Sequence, residues 1–124
     1  MTFAEGSRLE TIGRYCFAGS GIEEIVIPGS VTTICANAFW CCAALKWIQF
    51  QEDGKLERLG RWCLGGSGLV EVEIPRTVKT VGANAFHGCS DLKFIYMEDG
   101  CECSLAQADV PPSAKVLPPR GTAV

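Results

Sequence analysis

Apolar residues recur along the chain in two alternating rhythms. In Ile22-Glu23-Glu24-Ile25-Val26-Ile27-Pro28 a period of two sets Ile25 and Ile27 on one face of a strand and Val26 on the other. Leu45/Ile48/Phe50, Leu69/Val72/Ile74 and Leu92/Ile95/Met97 copy that strand, and Pro28 and Pro75 close two of the copies, where a missing backbone donor costs least. Between strands comes a compact return, Ile12-Gly13 to Phe17 and Val81-Gly82 to Phe86, in which glycine permits a turn and an aromatic plugs the interior.

The rhythms are periodic. Leu9 to Val31 reappears as Leu56 to Val78, and Val31 to Phe50 as Val78 to Met97, both 47 residues on. Inside each 47 lies a looser repeat: Ile12, Ile34, Leu59 and Val81 are spaced 22, 25 and 22, while Ile25, Ile48, Val72 and Ile95 are spaced 23, 24 and 23. One strand and one return in about 23 residues is one coil of a solenoid whose strands stack into a parallel sheet. The spacing predicts four coils over 9–31, 31–55, 56–78 and 78–100, with 1–8 the end of a preceding partial coil and the solenoid reaching 103. The interior should hold Ile12, Phe17, Ile25, Ile27, Ile34, Phe39, Leu45, Ile48, Phe50, Leu59, Leu64, Leu69, Val72, Ile74, Val81, Phe86, Leu92 and Ile95. Residues 104–124 carry four of the six prolines and read as an irregular Pro-rich tail or cap, although Val110-Pro111-Pro112-Ser113 echoes Ile27-Pro28-Gly29-Ser30. Phe3 aligns with Phe50, so the chain opens inside a strand, and an uncapped solenoid end exposes core and strand edge.

The pattern L-x-x-I-x-I-P followed by S-V-x-x-I-G-x-x-A-F-x-x-C resembles the BspA-type leucine-rich repeat. It is carried by Ile27-Pro28-Gly29-Ser30-Val31 and Ala36-Asn37-Ala38-Phe39 through Cys42, with partners at Ile74-Pro75 and Ala83-Asn84-Ala85-Phe86 through Cys89. The chain departs from it at Cys35, where the family has glycine, and at Cys16 and Cys63, where it usually has alanine. The resemblance implies an α/β-type leucine-rich repeat solenoid, with a parallel sheet on the concave side and short turns or helical returns on the convex side. It also implies a protein-binding role, since such repeats resemble modules of bacterial and protozoan cell-surface proteins and of intracellular eukaryotic proteins.

Composition narrows the rest. The 124 residues fit one domain, and 48% hydrophobic residues can fill its core. Eleven Lys+Arg against fourteen Asp+Glu, net charge −3, disfavour nucleic acid as a partner. No window approaches a membrane-spanning apolar run, and MTFAEGSRLE has no signal-peptide character. Cys16 and Cys63 occupy one slot two coils apart, as do Cys42 and Cys89. Two strand spacings are roughly 10 Å, too far for a disulfide, so the eight cysteines read as reduced thiols and lean toward a reducing, intracellular compartment. Cys41-Cys42 and Cys101-Glu102-Cys103 lack zinc-site spacing, and no metal or other cofactor is expected. Gly65-Gly66-Ser67-Gly68 resembles a phosphate cradle or serine elbow but repeats the turn Ala18-Gly19-Ser20-Gly21 and precedes no P-loop lysine. The pairs Glu23/Glu24 and Glu71/Glu73 sit where nothing would desolvate them, and a single histidine, His87, leaves little acid–base chemistry. No enzyme activity is expected.

Outward strand positions form columns: Glu24, Trp47, Glu71, Phe94 beside Val26, Gln49, Glu73, Tyr96, with Glu23, Lys46, Val70, Lys93 next to them. Three aromatics among carboxylates look like a protein-binding patch, because rigid aromatics dominate interface hot spots. The bland alternative is that Trp47 and Phe94 shield each other or that the Pro-rich tail covers them. The leading expectation is a non-catalytic interaction or scaffolding module docking a protein through the first two columns. The alternatives are a structural subunit of a larger complex packed through its uncapped ends, or a fragment of an adhesin-like surface protein.

Overall fold

The computed structural model describes residue 3 and residues 6–118. Among these, nine strands follow in order: β1 (Thr11–Ile12), β2 (Glu24–Ile27), β3 (Thr33–Ile34), β4 (Trp47–Phe50), β5 (Arg58–Leu59), β6 (Glu71–Ile74), β7 (Thr80–Val81), β8 (Phe94–Met97) and β9 (Lys115–Leu117). All pairing is parallel and joins each coil to the next at the same position. The short strands β1-β3-β5-β7 form one sheet, with Ile12, Ile34, Leu59 and Val81 stacked in register. The longer strands form the opposite wall, with Ile25 beside Ile48 and Val72 beside Ile95. Ile12, Ile34, Leu59 and Val81 of one wall and Ile25, Ile27, Ile48, Val72, Ile74 and Ile95 of the other are buried and form one continuous core with Phe39, Phe86, Leu45, Leu64, Leu69 and Leu92.

Of the two forms expected, short turns or helical returns, the returns take the first: no residue among those described is helical. Each return of the first four coils passes twice through the left-handed region. The first passage is at Tyr15 (φ 58), Asn37 (φ 61), Trp62 (φ 58) and Asn84 (φ 59), and the second at Gly19 (φ 69), Cys41 (φ 58), Gly66 (φ 70) and Gly88 (φ 74). Two such residues per return interrupt any right-handed helix. Donors that a helix would use internally go to the next coil instead: the N–H of Phe17 donates to Ala38 O (2.8 Å), of Phe39 to Cys63 O (2.8 Å) and of Leu64 to Ala85 O (3.1 Å). Neighbouring coils approach so closely that a Cβ on Gly60 would lie 2.5 Å from the backbone nitrogen of Ala36, and one on Gly82 2.5 Å from that of Arg61. That contact is the physical content of the I-G motif.

The solenoid has about five coils rather than four. The Phe86 N–H donates to Ala108 O (3.0 Å), Ser113 Oγ donates to Leu92 O (3.0 Å), and Ala108 is fully buried. The stretch expected as an irregular tail thus carries β9, with Phe94 beside Lys115 and Tyr96 beside Leu117. Its prolines misled because Pro111 and Pro112 fall in the turn before β9 and Pro118 directly after it, so none takes a ladder position. Residues 1, 2, 4 and 5 of the partial coil and 119–124 at the end of the tail lie outside the described residues; Phe3 packs half-buried against the core. Phe17 and Phe50, expected inside, are also only half-buried. Cys16 is exposed while its counterpart Cys63 is buried.

Candidate functional site

Strand pairing sets Glu24 beside Trp47 and Val26 beside Gln49, then Glu71 beside Phe94 and Glu73 beside Tyr96. Alternation turns all eight away from the core. Glu24, Trp47, Gln49 and Glu73 are exposed, with Trp47 retaining 40% of its surface, while Val26, Glu71, Phe94 and Tyr96 are half-buried. The Phe94 and Tyr96 rings sit 6.0 Å apart, tilted 33°, and β9 flanks their strand without covering Trp47, which stands on β4 with β6 between.

The columns are interrupted between the two 47-residue halves. Ladder hydrogen bonds join β2 to β4, and β6 to β8 and β9, but none joins β4 to β6. The halves stay together across the short-strand wall through β3 and β5. Just upstream of the break the Val70 N–H reaches Lys46 O at 3.4 Å, and Lys46 Nζ reaches Asp91 at 3.6 Å, so this end is closed. Downstream, each strand's turn is bonded into its own half. Gln51 Oε1 accepts from the Gly29 N–H (2.8 Å) and the Lys55 N–H donates to Gly29 O (3.0 Å), drawing the turn after β4 toward β2. Both the backbone N–H and Nε of Arg76 donate to Glu98 Oε1 (3.3 and 2.9 Å), drawing the turn after β6 toward β8. What opens between them is a cleft of about 460 Å³. Trp47, Glu52, Asp53, Glu71 and Glu73 line it, with the tied Arg76–Glu98 pair at its far wall. Five carboxylates therefore face one guanidinium that is already engaged. Thr77 lines the cleft too, and its buried Oγ1 has no hydrogen-bond partner among the described residues.

A second surface escaped the sequence reading. Tyr15 and Trp40 meet edge to face at 6.5 Å, as do Trp62 and His87 at 4.8 Å, and a Cβ on Gly65 would touch both Trp40 and Trp62. The four rings form a ridge over the returns. The signal was present, since Tyr15 recurs as Trp62 and Trp40 as His87 at the 47-residue offset, but the left-handed backbone that sends Tyr15 and Trp62 outward is not written in residue type. His87 is exposed and bonds Asp109 through Nδ1. Ser67 is buried with its hydroxyl 3.4 Å from Cys89 Sγ, which makes its loop a packed turn.

All eight cysteines are free thiols in the structure. Burial pushes the Cys63 thiol up to about 12 and raises Cys42 and Cys89 as well. Cys101 and Cys103 lie with sulfurs 3.3 Å apart, and burial, reinforced by that neighbour, pushes Cys103 up to about 12. No group of three or more ligating side chains suited to a metal occurs among the described residues, and no helix there is long and apolar enough to cross a membrane.

The family model for the BspA type leucine rich repeat region matches residues 10–111 in six copies. Among solved structures, the pneumococcal vaccine antigen PcpA is 35% identical with a TM-score of 0.79, over 81% of this chain and 25% of that one. A leucine-rich repeat protein from Bacteroides capillosus is 27% identical with a TM-score of 0.64, over 72% of this chain and 63% of that one. One from Bacteroides ovatus shares the fold at 18% identity and a TM-score of 0.61, over 90% of this chain and 37% of that one. The chain thus spans about a quarter of the length of the antigen structure it matches. No curated protein matches it. These relatives lend no support to an intracellular setting.

Proposed function

Because the chain belongs to the BspA-type leucine-rich repeat family, we propose that it is a non-catalytic module that docks a protein partner on its long-strand face through Glu24, Val26, Trp47, Gln49, Glu71, Glu73, Phe94 and Tyr96. The observation that carries this reading is Trp47, a large aromatic left 40% exposed on a rigid strand beside Glu24, with the Phe94–Tyr96 pair on the same face. Aromatics held by strands lose little entropy on binding and supply most hot-spot energy. Likeness to a vaccine antigen supports a setting on or outside a cell in place of the reducing one that the cysteine slots suggest.

The test is partner capture on immobilised protein, comparing wild type with Trp47→Ala and Tyr96→Ala. A hot spot of about 2 kcal/mol corresponds to roughly thirtyfold weaker capture, with far-UV circular dichroism unchanged. Capture indifferent to both substitutions, but lost on changing Phe3 or residues 110–118, would transfer the contact to the solenoid ends.

A further inference from the structure

We propose that the cleft between β4 and β6 is a receptor for an arginine side chain presented by the docked protein. The inference rests on the docking face described above and gives its partner a chemistry. Three observations converge. The sheet is open here because the turns on either side are bonded away from each other, to Gly29 and to Glu98, so the space belongs to the fold rather than to one loose side chain. Its volume, about 460 Å³, lies within the range of ordinary ligand sites. Its charge is one-sided: Glu52, Asp53 and Glu73 line it, and Arg76 is already engaged by Glu98.

Arginine fits better than lysine for geometric reasons. Trp47 forms one wall, and a planar guanidinium stacks on an indole face while its edge donates to carboxylates as a fork; an ammonium does neither as well. An anionic partner would meet the carboxylates of Glu52, Asp53 and Glu73, and an apolar one would strip water from them without return.

The probe is the capped tripeptide acetyl-Gly-Arg-Gly-amide, titrated into the ¹⁵N-labelled chain beside its citrulline analogue, which keeps the shape and loses the charge. Saturating shifts are expected at the Trp47 indole and the Gly54 amide, at least fivefold weaker with citrulline and weakening as salt is raised. Glu52→Gln/Glu73→Gln should weaken binding at least fivefold. Glu10→Gln/Glu102→Gln, an equal change of net charge at exposed positions outside the cleft and the docking face, should leave it within a factor of two. Shifts that fail to saturate, or that respond equally to both double variants, would overturn the inference. Capture that needs Trp47 and Tyr96 while the peptide leaves the cleft unmoved would remove the arginine site and keep the docking face. A saturable cleft with capture indifferent to both aromatics would do the reverse.

Discussion

Replacing Phe39 by alanine tests how the coils hold one another. Phe39 is fully buried, and its ring stacks on Phe17 at 5.2 Å with an interplanar angle of 5°. An aromatic side chain buries at least about 150 Å², which at about 25 cal/mol per Å² is roughly 4 kcal/mol, and the cavity left behind keeps the total near 3–5 kcal/mol. At about 0.05–0.15 kcal/mol per residue the whole chain has roughly 6–18 kcal/mol, so the variant should fold and be measurable. With a urea slope of about 1.5 kcal/mol/M the midpoint should fall by roughly 2–3 M. Phe17→Ala, at a half-buried position, should cost about half as much. The double variant should fall short of the sum by about 0.5–1.5 kcal/mol, the stacking energy counted in both single changes. Urea melts followed by circular dichroism and tryptophan fluorescence read all three. A midpoint shift below about 0.5 M for Phe39→Ala, or equal losses for the two single variants, would refute the stacking argument.

Other outcomes follow from contacts already given. Gly60→Ala should cost at least about 2 kcal/mol because its Cβ would meet the Ala36 backbone, whereas Gly13→Ala, with nothing within 4 Å, should change thermal stability by less than about 0.5 kcal/mol. Cys41→Gly should stabilise the chain by about 0.5–1 kcal/mol in the same melts, since it relieves a left-handed non-glycine where the other three returns place glycine. Maleimide labelling of the native protein should modify exposed Cys16 and Cys41 quickly and buried Cys42, Cys63 and Cys89 only on unfolding, read by intact mass. The Cys63 thiol is raised in the fold, so its contribution to stability is complete below about pH 9 and is lost as pH climbs toward about 12; Cys63→Ala should flatten that alkaline fall in the urea midpoint.

The sequence by itself determined the repeat, the identity of the long strands β2, β4, β6 and β8, and the face their side chains take. These depend on local period: the inward row of Ile25, Ile48, Val72 and Ile95 and the outward row of Glu24, Trp47, Glu71 and Phe94 can be read without knowing what lies beside them. Tertiary structure decided how neighbours bond. That β4 joins β2 and leaves β6 depends on Gln51 reaching Gly29 and on Arg76 reaching Glu98, each 22 residues away, and no window of sequence reports such a choice. The fifth coil was hidden for a related reason, since prolines read as breakers become harmless once the ladder register places them in turns on either side of β9. The form of the returns and the aromatic ridge share a third cause. Tyr15 and Trp62 take a left-handed backbone contrary to their own preference, because donors that a helix would use internally are satisfied by the adjoining coil. Period is a property of the chain, whereas the pairing of coils is a property of the stack.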